Sequence, residues 1–531
     1  MRSRVDATVA AVIGITILGF LLRLAVLVRP IGVIDRLFIP DDTYYTLSIA
    51  RSIAHGHGPT VDGHTLTSGF QALLGFLLVP VYWLTDNLDL ALRIDLALLV
   101  IADTLTIVVL AWIAYRFAGR VAAVTAAALW AMSPVAVSMA LGGLETSLAI
   151  LGAVALVAAW IWANDTASTQ RALATGAVAG LAVLARVDVA LLVALLAALQ
   201  LWRGPRRLLV PGALAGAAVV APWWIWCTVQ FGTPIPTSGE AAHRLALAQP
   251  YSRESLAEVA GAVAGGPFGV WHWLRERLFV HPWIGVAMFW IFVIALVALG
   301  VVWARRRIMP QLAVAALPLF AAGLLLFYAW FAVGWYFTRY LAPVACVVSL
   351  VIAVAVEHVW ATRGTWRVPL FVGITTVLAV GLFSVVRSTH HNLTETNASP
   401  ATAYETATGY RDMATTVLAV TPPGSVFGSW QSGAFGYYAD DRVKVVNLDG
   451  VVNPAAADAQ EQDRTVAYMR DQRVNWIADF WLHIVWFAVK SHQLEHPPEV
   501  KAVKGLQQFP PFPTYAVAQI TWPERGAADG G

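Results

Sequence analysis

The chain has 531 residues, 58 % hydrophobic and 13 % charged, with a formal net charge of +3. A soluble domain is usually about 25 % charged, so the composition excludes an ordinary soluble protein. The small positive balance gives no electrostatic footprint for nucleic acid. Cys227 and Cys346 are the only cysteines and both lie in apolar runs, which excludes a disulfide framework and a CxxC metal spacing.

MRSR followed by an apolar run from Ala7 to Val28 reads as a signal anchor, longer than the core of a cleaved signal peptide. Further apolar runs start near residues 90, 121, 146, 172, 188, 208, 283, 310, 341 and 368, giving about eleven spans of a bilayer core roughly 30 Å thick. With the amino terminus in the cytoplasm, every short cytoplasmic connection is basic. Arg2 and Arg4, Arg116 and Arg120, Arg171, Arg203 with Arg206 and Arg207, Arg305 to Arg307, and Arg363 with Arg367 all fall on that side, as the positive-inside rule requires. Loops 30–89 and 229–282, the turns at Gly142–Thr146, Arg186–Asp188 and Trp335–Arg339, and the tail from 389 are then extracytoplasmic. The apolar piece 70–84 is short for a span and contains Pro80, so it reads as a re-entrant or surface-lying helix.

These runs define a transmembrane domain over 1–388 and an outer domain over 389–531. The tail holds short strand-like runs, SVFGSW, KVVNLDG, NWIADF and YAVAQITW, with helical segments over roughly 403–420 and 458–473. That alternation predicts a small α/β domain. The fold class is therefore mainly α, a polytopic helix bundle carrying an extracytoplasmic α/β domain.

The stretch IPDDTYYTLSIARSIAHGHG, residues 39–58, sets two adjacent acids just outside the first span. Pro40-Asp41-Asp42-Thr43 is a good helix start, with a rigid entry and anions near the positive helix end. Tyr45, Ile49 and Ile53 recur on one face, which predicts a helix lying along the membrane surface. Capping needs only one acid, however, and two adjacent acids repel each other. Ionisable groups at a membrane mark a site. A sugar hydroxyl attacking an activated sugar carbon sheds a proton, which one positioned carboxylate takes as general base. A phosphate leaving group needs only cations to hold its developing charge, whereas glycoside hydrolysis needs a second carboxyl group. One base in a basic, apolar groove thus suits transfer from a lipid-phosphate sugar.

Further motifs follow in the same loop and beyond: Ile49-Ala50-Arg51, His55-Gly56-His57-Gly58, Asp62-Gly63, Thr67-Ser68-Gly69-Phe70, Gly143-Leu144-Glu145-Thr146, the loop Phe231 to Arg244, and VVNLDGVVN from Val445 to Asn453. Over most of its length the chain resembles the GT-C class of polytopic glycosyltransferases, among them protein mannosyltransferases, lipid A aminoarabinose transferases and mycobacterial arabinosyl- and mannosyltransferases. The resemblance implies an inverting enzyme on the outer face of the cytoplasmic membrane. Its donor would be a polyprenyl-phosphate sugar, mannose or arabinofuranose, and its acceptor a glycan, glycolipid or protein. No cofactor is required. Carried over, Asp41 is the base and Asp42 its partner in orientation, acceptor binding or metal binding. A lipid-linked glycan ligase or polymerase and a secondary transporter are the competing functions.

Other candidates have plainer alternatives. Glu145, where a helix re-enters the membrane, is a site residue or a helix cap. Arg186 and Asp188 read as a local ion pair closing a tight turn. Arg339, in GWYFTRYLAP beside Tyr336 and Tyr340, faces outward against the charge bias and suits a bidentate grip on a lipid phosphate. His243 and Arg244 follow a Pro-rich turn and are further phosphate candidates, and Tyr45 and His57 are substrate-binding candidates. Asp41, Asp42, His55 and His57 are a candidate set for a divalent ion, although His-Gly-His is also an ordinary turn. NLDG reads first as a strand ending in a turn, with acceptor recognition as its functional alternative.

Overall fold

The computed structural model describes residues 2–247, 282–305, 309–331, 338–361, 369, 372–373, 409–439, 442–493, 497–502 and 515–523. The amino-terminal part is helical: α1 (Arg2–Leu27), α2 (Ile31–Phe38), α3 (Asp41–Ala54), α4 (Ala72–Leu84), α5 (Leu88–Phe117), α6 (Arg120–Ala131), α7 (Pro134–Ala140), α8 (Thr146–Thr166), α9 (Thr169–Ala185), α10 (Ala190–Arg203), α11 (Leu209–Phe231) and α12 (Thr237–Leu247). α13 (Pro282–Arg305), α14 (Met309–Phe331) and α15 (Thr338–Ala361) continue the bundle.

A helix stands at each of the first ten expected spans, and the run from 368 falls almost wholly outside the described residues. Five described helices are long and apolar enough to cross a membrane, and the pair α6 and α7 adds a sixth if taken as one bent span. The 56° bend has a local cause. Pro134 cannot join the preceding hydrogen-bond ladder, and the Ser133 side chain instead accepts from the amide of Ala136 to start a new helix. Several others, including α4 and α9, are shorter apolar helices, so length alone does not yield eleven spans among the described residues.

Inside the bundle one charged group is fully satisfied. Arg23 of α1 donates from Nε to Asp103 Oδ2 at 2.5 Å and from Nη1 to the carbonyls of Gly19 and Ala131 at 2.8 and 3.0 Å. Trp130 Nε1 donates to the other Asp103 oxygen at 3.0 Å. A charge in hydrocarbon persists only when paired in this way, so α1, α5 and α6 are pinned in one register.

The tail comprises α16 (Tyr410–Val420), β1 (Val426–Ser429), α17 (Gly433–Tyr438), β2 (Lys444–Asn447), α18 (Pro454–Glu461), α19 (Thr465–Asp471), β3 (Trp476–Phe480), α20 (Trp481–Ser491), β4 (Glu499–Ala502) and β5 (Tyr515–Thr521). The sheet order is β2-β1-β3-β5-β4. β2, β1 and β3 run parallel, and β5 and β4 are antiparallel. The helix expected over 458–473 is two helices, broken where Asp463 takes a φ of 50°. α17, α20 and β4 were not foreseen. α17, GAFGYY, carries two glycines of poor helix propensity and is helical because it is docked: Ala434, Phe435 and Tyr437 share one core with Tyr44 and Leu47 of α3 and Leu74 of α4.

That packing corrects one expectation. The recurring face of α3 packs on protein and not on lipid, since ten of its fourteen residues are buried. Tyr45 and Ile49 are packed with Phe70, Trp223 and Val452, between the bundle and the tail.

Breaking the intramembrane pair leaves its partner an uncompensated charge. Asp103→Ala is expected to destabilise the detergent-solubilised protein by about 3–5 kcal/mol, read as a fall in thermal midpoint. An unchanged midpoint would show that α1 is held by packing alone.

Candidate active site between the first outer loop and the tail

α3 starts at Asp41 because Pro40 enters in an extended conformation with φ −75° and ψ 159°. Successive helical residues leave the axis roughly 100° apart, so the two acids cannot face the same way. Asp41 turns into the tail and is 3 % exposed. Its Oδ2 accepts from the amide of Gly433 at 2.7 Å and its Oδ1 from that of Ala434 at 2.9 Å, which caps α17. Burial pushes the carboxyl up to about 8, against the two amides that favour its charged form. The Asp41 carboxylate expected to stand open as the base is sealed under the tail.

Asp42 faces the other way. Its side chain is 39 % exposed, and its Oδ2 accepts from Arg339 Nη2 at 2.6 Å. Its Oδ1 takes no hydrogen bond among the described residues. Arg339 sits in the first turn of α15, where the helix dipole disfavours a cation, so the Asp42 contact compensates its position.

Behind Arg339 lies a continuous polar chain. The guanidinium groups of Arg339 and Arg186 stand 5.3 and 5.5 Å from the ring centre of Tyr340, and each gains from the electron-rich ring face. Tyr340 stacks on Tyr328 at 4.7 Å. Arg186 pairs with Asp188 at 2.8 Å, as expected for the turn, and also reaches Glu145 at 3.5 Å and the Tyr328 hydroxyl at 2.5 Å. Glu145 occupies the N-cap of α8 without making a side-chain cap bond. Its carboxylate serves Arg186 instead.

The tail completes the site at the carboxyl ends of β1 and β2. Tyr45 Oη donates to Asp449 Oδ2 at 3.0 Å and accepts from Asn447 Nδ2 at 3.0 Å and the Ser432 amide at 3.3 Å. Asp449 Oδ1 accepts from the Val451 amide at 2.7 Å. Burial pushes the Asp449 carboxyl up to about 7, and the charge of Asp42 adds to the effect. NLDG is therefore the strand end and turn that the sequence suggested, and it also joins the site. Asn447 and Asp449 belong to the NLDG motif the sequence analysis drew attention to, whereas Ser432 was not singled out. The available signal was a run of polar residues directly after an apolar strand. Gly69 of the first loop is fixed by the same contact, because a Cβ there would overlap the carbonyl oxygen of Val451.

Other expected residues are not gathered here. His55 and His57 are exposed beyond the far end of α3, about 20 Å from Asp41 at a rise of about 1.5 Å per residue, and His55 Nδ1 lies 2.9 Å from the Arg51 carbonyl. They form no ligand set with Asp41 and Asp42. Among the described residues no group of three or more His, Cys, Asp or Glu side chains is arranged to hold a metal. Arg244 pairs with Glu240 at 2.6 Å and with Glu461 at 3.0 Å, joining α12 to α18. His243 lies beside it on α12, half-buried. Tyr336 lies outside the described residues.

Comparison with known proteins fits this architecture. The apo crystal structure of ArnT from Cupriavidus metallidurans is similar at a TM-score of 0.56 and 14 % identity, over 97 % of this chain and 98 % of that one. The same protein bound to undecaprenyl phosphate is similar at a TM-score of 0.55 and 15 % identity, over 97 % and 98 %. The archaeal oligosaccharyltransferase AglB from Archaeoglobus fulgidus, in complex with an inhibitory peptide and a dolichol-phosphate, is similar at 0.53 and 14 %, over 88 % of this chain and 69 % of that one. Residues 398–522 match a domain of unknown function, DUF8728. No curated protein matches in sequence. The chain thus has the GT-C fold, that of a multi-pass membrane protein with a small carboxyl-terminal sheet domain.

Three carboxyls join the tail to the first loop. Asp41 is one, and Asp449 another. Asp35 is the third: it accepts from the Tyr44 hydroxyl at 2.5 Å and the Arg411 amide at 2.9 Å, and burial pushes it up to about 7. Each sits above its ordinary value, so the folded state binds more protons than the unfolded one. Their stabilising contribution is full below about pH 4 and is lost as pH rises through about 7 to 8. The thermal midpoint is expected to fall between pH 5 and 8.5, with a shallower fall in Asp41→Asn. A midpoint that rises over this range contradicts the assignment.

Proposed function

We propose that the protein is an inverting glycosyltransferase that moves a sugar from a polyprenyl-phosphate donor to a hydroxyl acceptor. The observation that carries this reading is the pairing, at one crevice, of a half-exposed carboxylate with a buried arginine, Asp42 with Arg339. The GT-C fold supports it, as do the undecaprenyl phosphate and dolichol-phosphate named with the similar structures. Mannose and arabinofuranose are the sugars favoured by the sequence resemblance.

In this reading the general base is Asp42, whose side chain is partly exposed, and Asp41 is the anchor that fixes α3. The acceptor hydroxyl attacks the anomeric carbon and gives its proton to Asp42 as the new C–O bond forms. The bond from that carbon to the phosphate oxygen breaks, and its electron pair leaves with the lipid phosphate. Arg339, with Arg186 behind it across Tyr340, holds the developing charge, and a guanidinium can grip phosphate through two parallel hydrogen bonds. Attack opposite the leaving group inverts the anomeric centre.

An apolar cavity of about 480 Å³ between α8, α9, α10 and α11, lined by Trp160, Val183, Leu196, Val220 and Trp224, suits a prenyl chain. Its neighbour Trp223 packs in the cluster that holds Tyr45. The arginine pattern of the sequence places the amino terminus in the cytoplasm and the tail outside the cytoplasmic membrane.

Asp42→Asn is expected to lower transfer from a polyprenyl-phosphate sugar by roughly 10²- to 10⁴-fold, with a fall in thermal midpoint because Arg339 loses its compensating charge. Arg339→Ala is expected to raise the donor KM and lower kcat together. Membranes carrying Asp42→Asn that transfer sugar at the parental rate would end the base assignment. Mass spectrometry of the copurified lipid separates this reading from a glycan ligase: a monophosphate sugar supports it, and a pyrophosphate-linked glycan opposes it.

A further inference from the structure

We infer that Asp449 is an acceptor-positioning residue and that the acceptor is a neutral polyhydroxylated saccharide, bound in the crevice between Asp42 and the tail. The inference rests on the glycosyltransferase reading above and names the substrate class of the same site.

Asp449 and Asp42 come from opposite walls. Asp42 stands at the start of α3, whereas Asp449 follows β2 and reaches the crevice only because Tyr45 ties the turn to α3 through the 3.0 Å bond to Oδ2. Asp42 and Tyr45 are three residues apart on α3 and so are neighbours on one face, and Tyr45 holds Asp449, which brings the two acids to the same end of α3. β2 and β1 are parallel neighbours, and their carboxyl ends deliver Asn447, Asp449 and Ser432 to this point. The crevice outside the carboxyl ends of parallel strands is where such sheets bind ligands.

The hydrogen-bond inventory selects the ligand. Ionised, a carboxylate only accepts and offers about four lone-pair positions. Asp449 spends two of them, one on the Val451 amide and one on the Tyr45 hydroxyl. Asn447 is fully engaged, donating to Tyr45 and Ser432 and accepting from the Gly450 amide. It therefore holds the turn. What the tail wall still offers is acceptor capacity on Asp449, opposite the Oδ1 of Asp42. A ligand there must bring donors, and adjacent sugar hydroxyls bring two at the spacing of a carboxylate. An acceptor with a phosphate or carboxylate beside its reacting hydroxyl would meet a like charge. Arg339 offsets the charge of Asp42 at 2.6 Å, so for such a ligand the opposing charge is that of Asp449.

The test is a kinetic comparison in purified full-length protein with a polyprenyl-phosphate sugar as donor. The acceptor probes are methyl glycosides of mannose and arabinofuranose, a phosphorylated glycoside and a hydroxyl-bearing peptide. Asp449→Asn keeps an oxygen for the Val451 amide, while its new amide group replaces the oxygen that accepted from Tyr45 and turns to the Tyr45 hydroxyl as a donor. It is expected to raise the KM for the neutral glycoside on the order of 10- to 100-fold, with a much smaller fall in kcat and an unchanged donor KM. Asp449→Glu is expected to recover part of the loss. Tyr45→Phe, which frees the turn, serves as the second variant and should raise the same KM.

Several outcomes would overturn the inference. One is an acceptor KM that moves with neither variant. Another is a kcat loss without a KM change, which would mark Asp449 as structural. A third is efficient transfer to the peptide or the phosphorylated glycoside with none to the neutral glycosides. Failure of the wild-type protein to turn over any polyprenyl-phosphate sugar, with or without acceptor, would instead overturn the glycosyltransferase reading itself.

Discussion

The bond from the Asp41 carboxylate to two consecutive amides of the tail, Gly433 and Ala434, is the contact on which the rest of the outer structure depends. The loop before α17 presents five amides in sequence. Trp430 and Gln431 donate to Asp479 at 2.5 and 3.0 Å, Ser432 donates to Tyr45, and the next two donate to Asp41. A buried amide without a partner costs about as much as a lost hydrogen bond. The loop can therefore be dry only when the tail's own acid and two residues of α3 are all in place. Docking of the tail and completion of the site are one event.

That arrangement separates the roles of two neighbouring acids. Helical geometry turns Asp41 and Asp42 apart, and the tail then buries one and leaves the other facing Arg339. Groups of one residue type take different tasks when their environments push them apart. The buried acid is pushed up to about 8 and acts as a clamp, while the exposed one is free to meet substrate. Asp449 arrives from the tail with a carboxyl pushed up to about 7, so carboxyls of α3 and the tail gather where Asp42 meets Arg339, with Arg186 behind it across Tyr340. This meeting of carboxyls and arginines matches a reaction in which a proton is taken up and a phosphate departs.

The arginines are held by a network that spans three helices and the turn before α10. Glu145, Arg186, Asp188, Tyr328, Tyr340 and Arg339 are linked in order by ion pairs, a hydroxyl bond and ring contacts. Two cations on one tyrosine ring would repel in isolation. Here each has a carboxylate on its outer side, Asp42 for Arg339 and Asp188 with Glu145 for Arg186, so the positive charge can be concentrated without being left bare.

Much of this was legible in the residue order. Apolar runs fixed where the bundle helices lie, because the length of a bilayer-crossing helix follows from the thickness of hydrocarbon. Alternating short runs marked four of the five tail strands, and the acids after the first span marked the place where the tail docks and Arg339 is met. The strand Glu499–Ala502 and the helix Gly433–Tyr438 were not legible, since neither has a strong local preference and both exist by virtue of what they pack against. The sequence also could not assign Asp41 and Asp42, or recruit Asn447 and Asp449, which lie about 400 residues from Tyr45 along the chain. Residue type and spacing determine local conformation and where the apolar helices lie. Which carboxylate is buried, and which meets an arginine, depends on long-range burial and pairing, and only the folded chain supplies those.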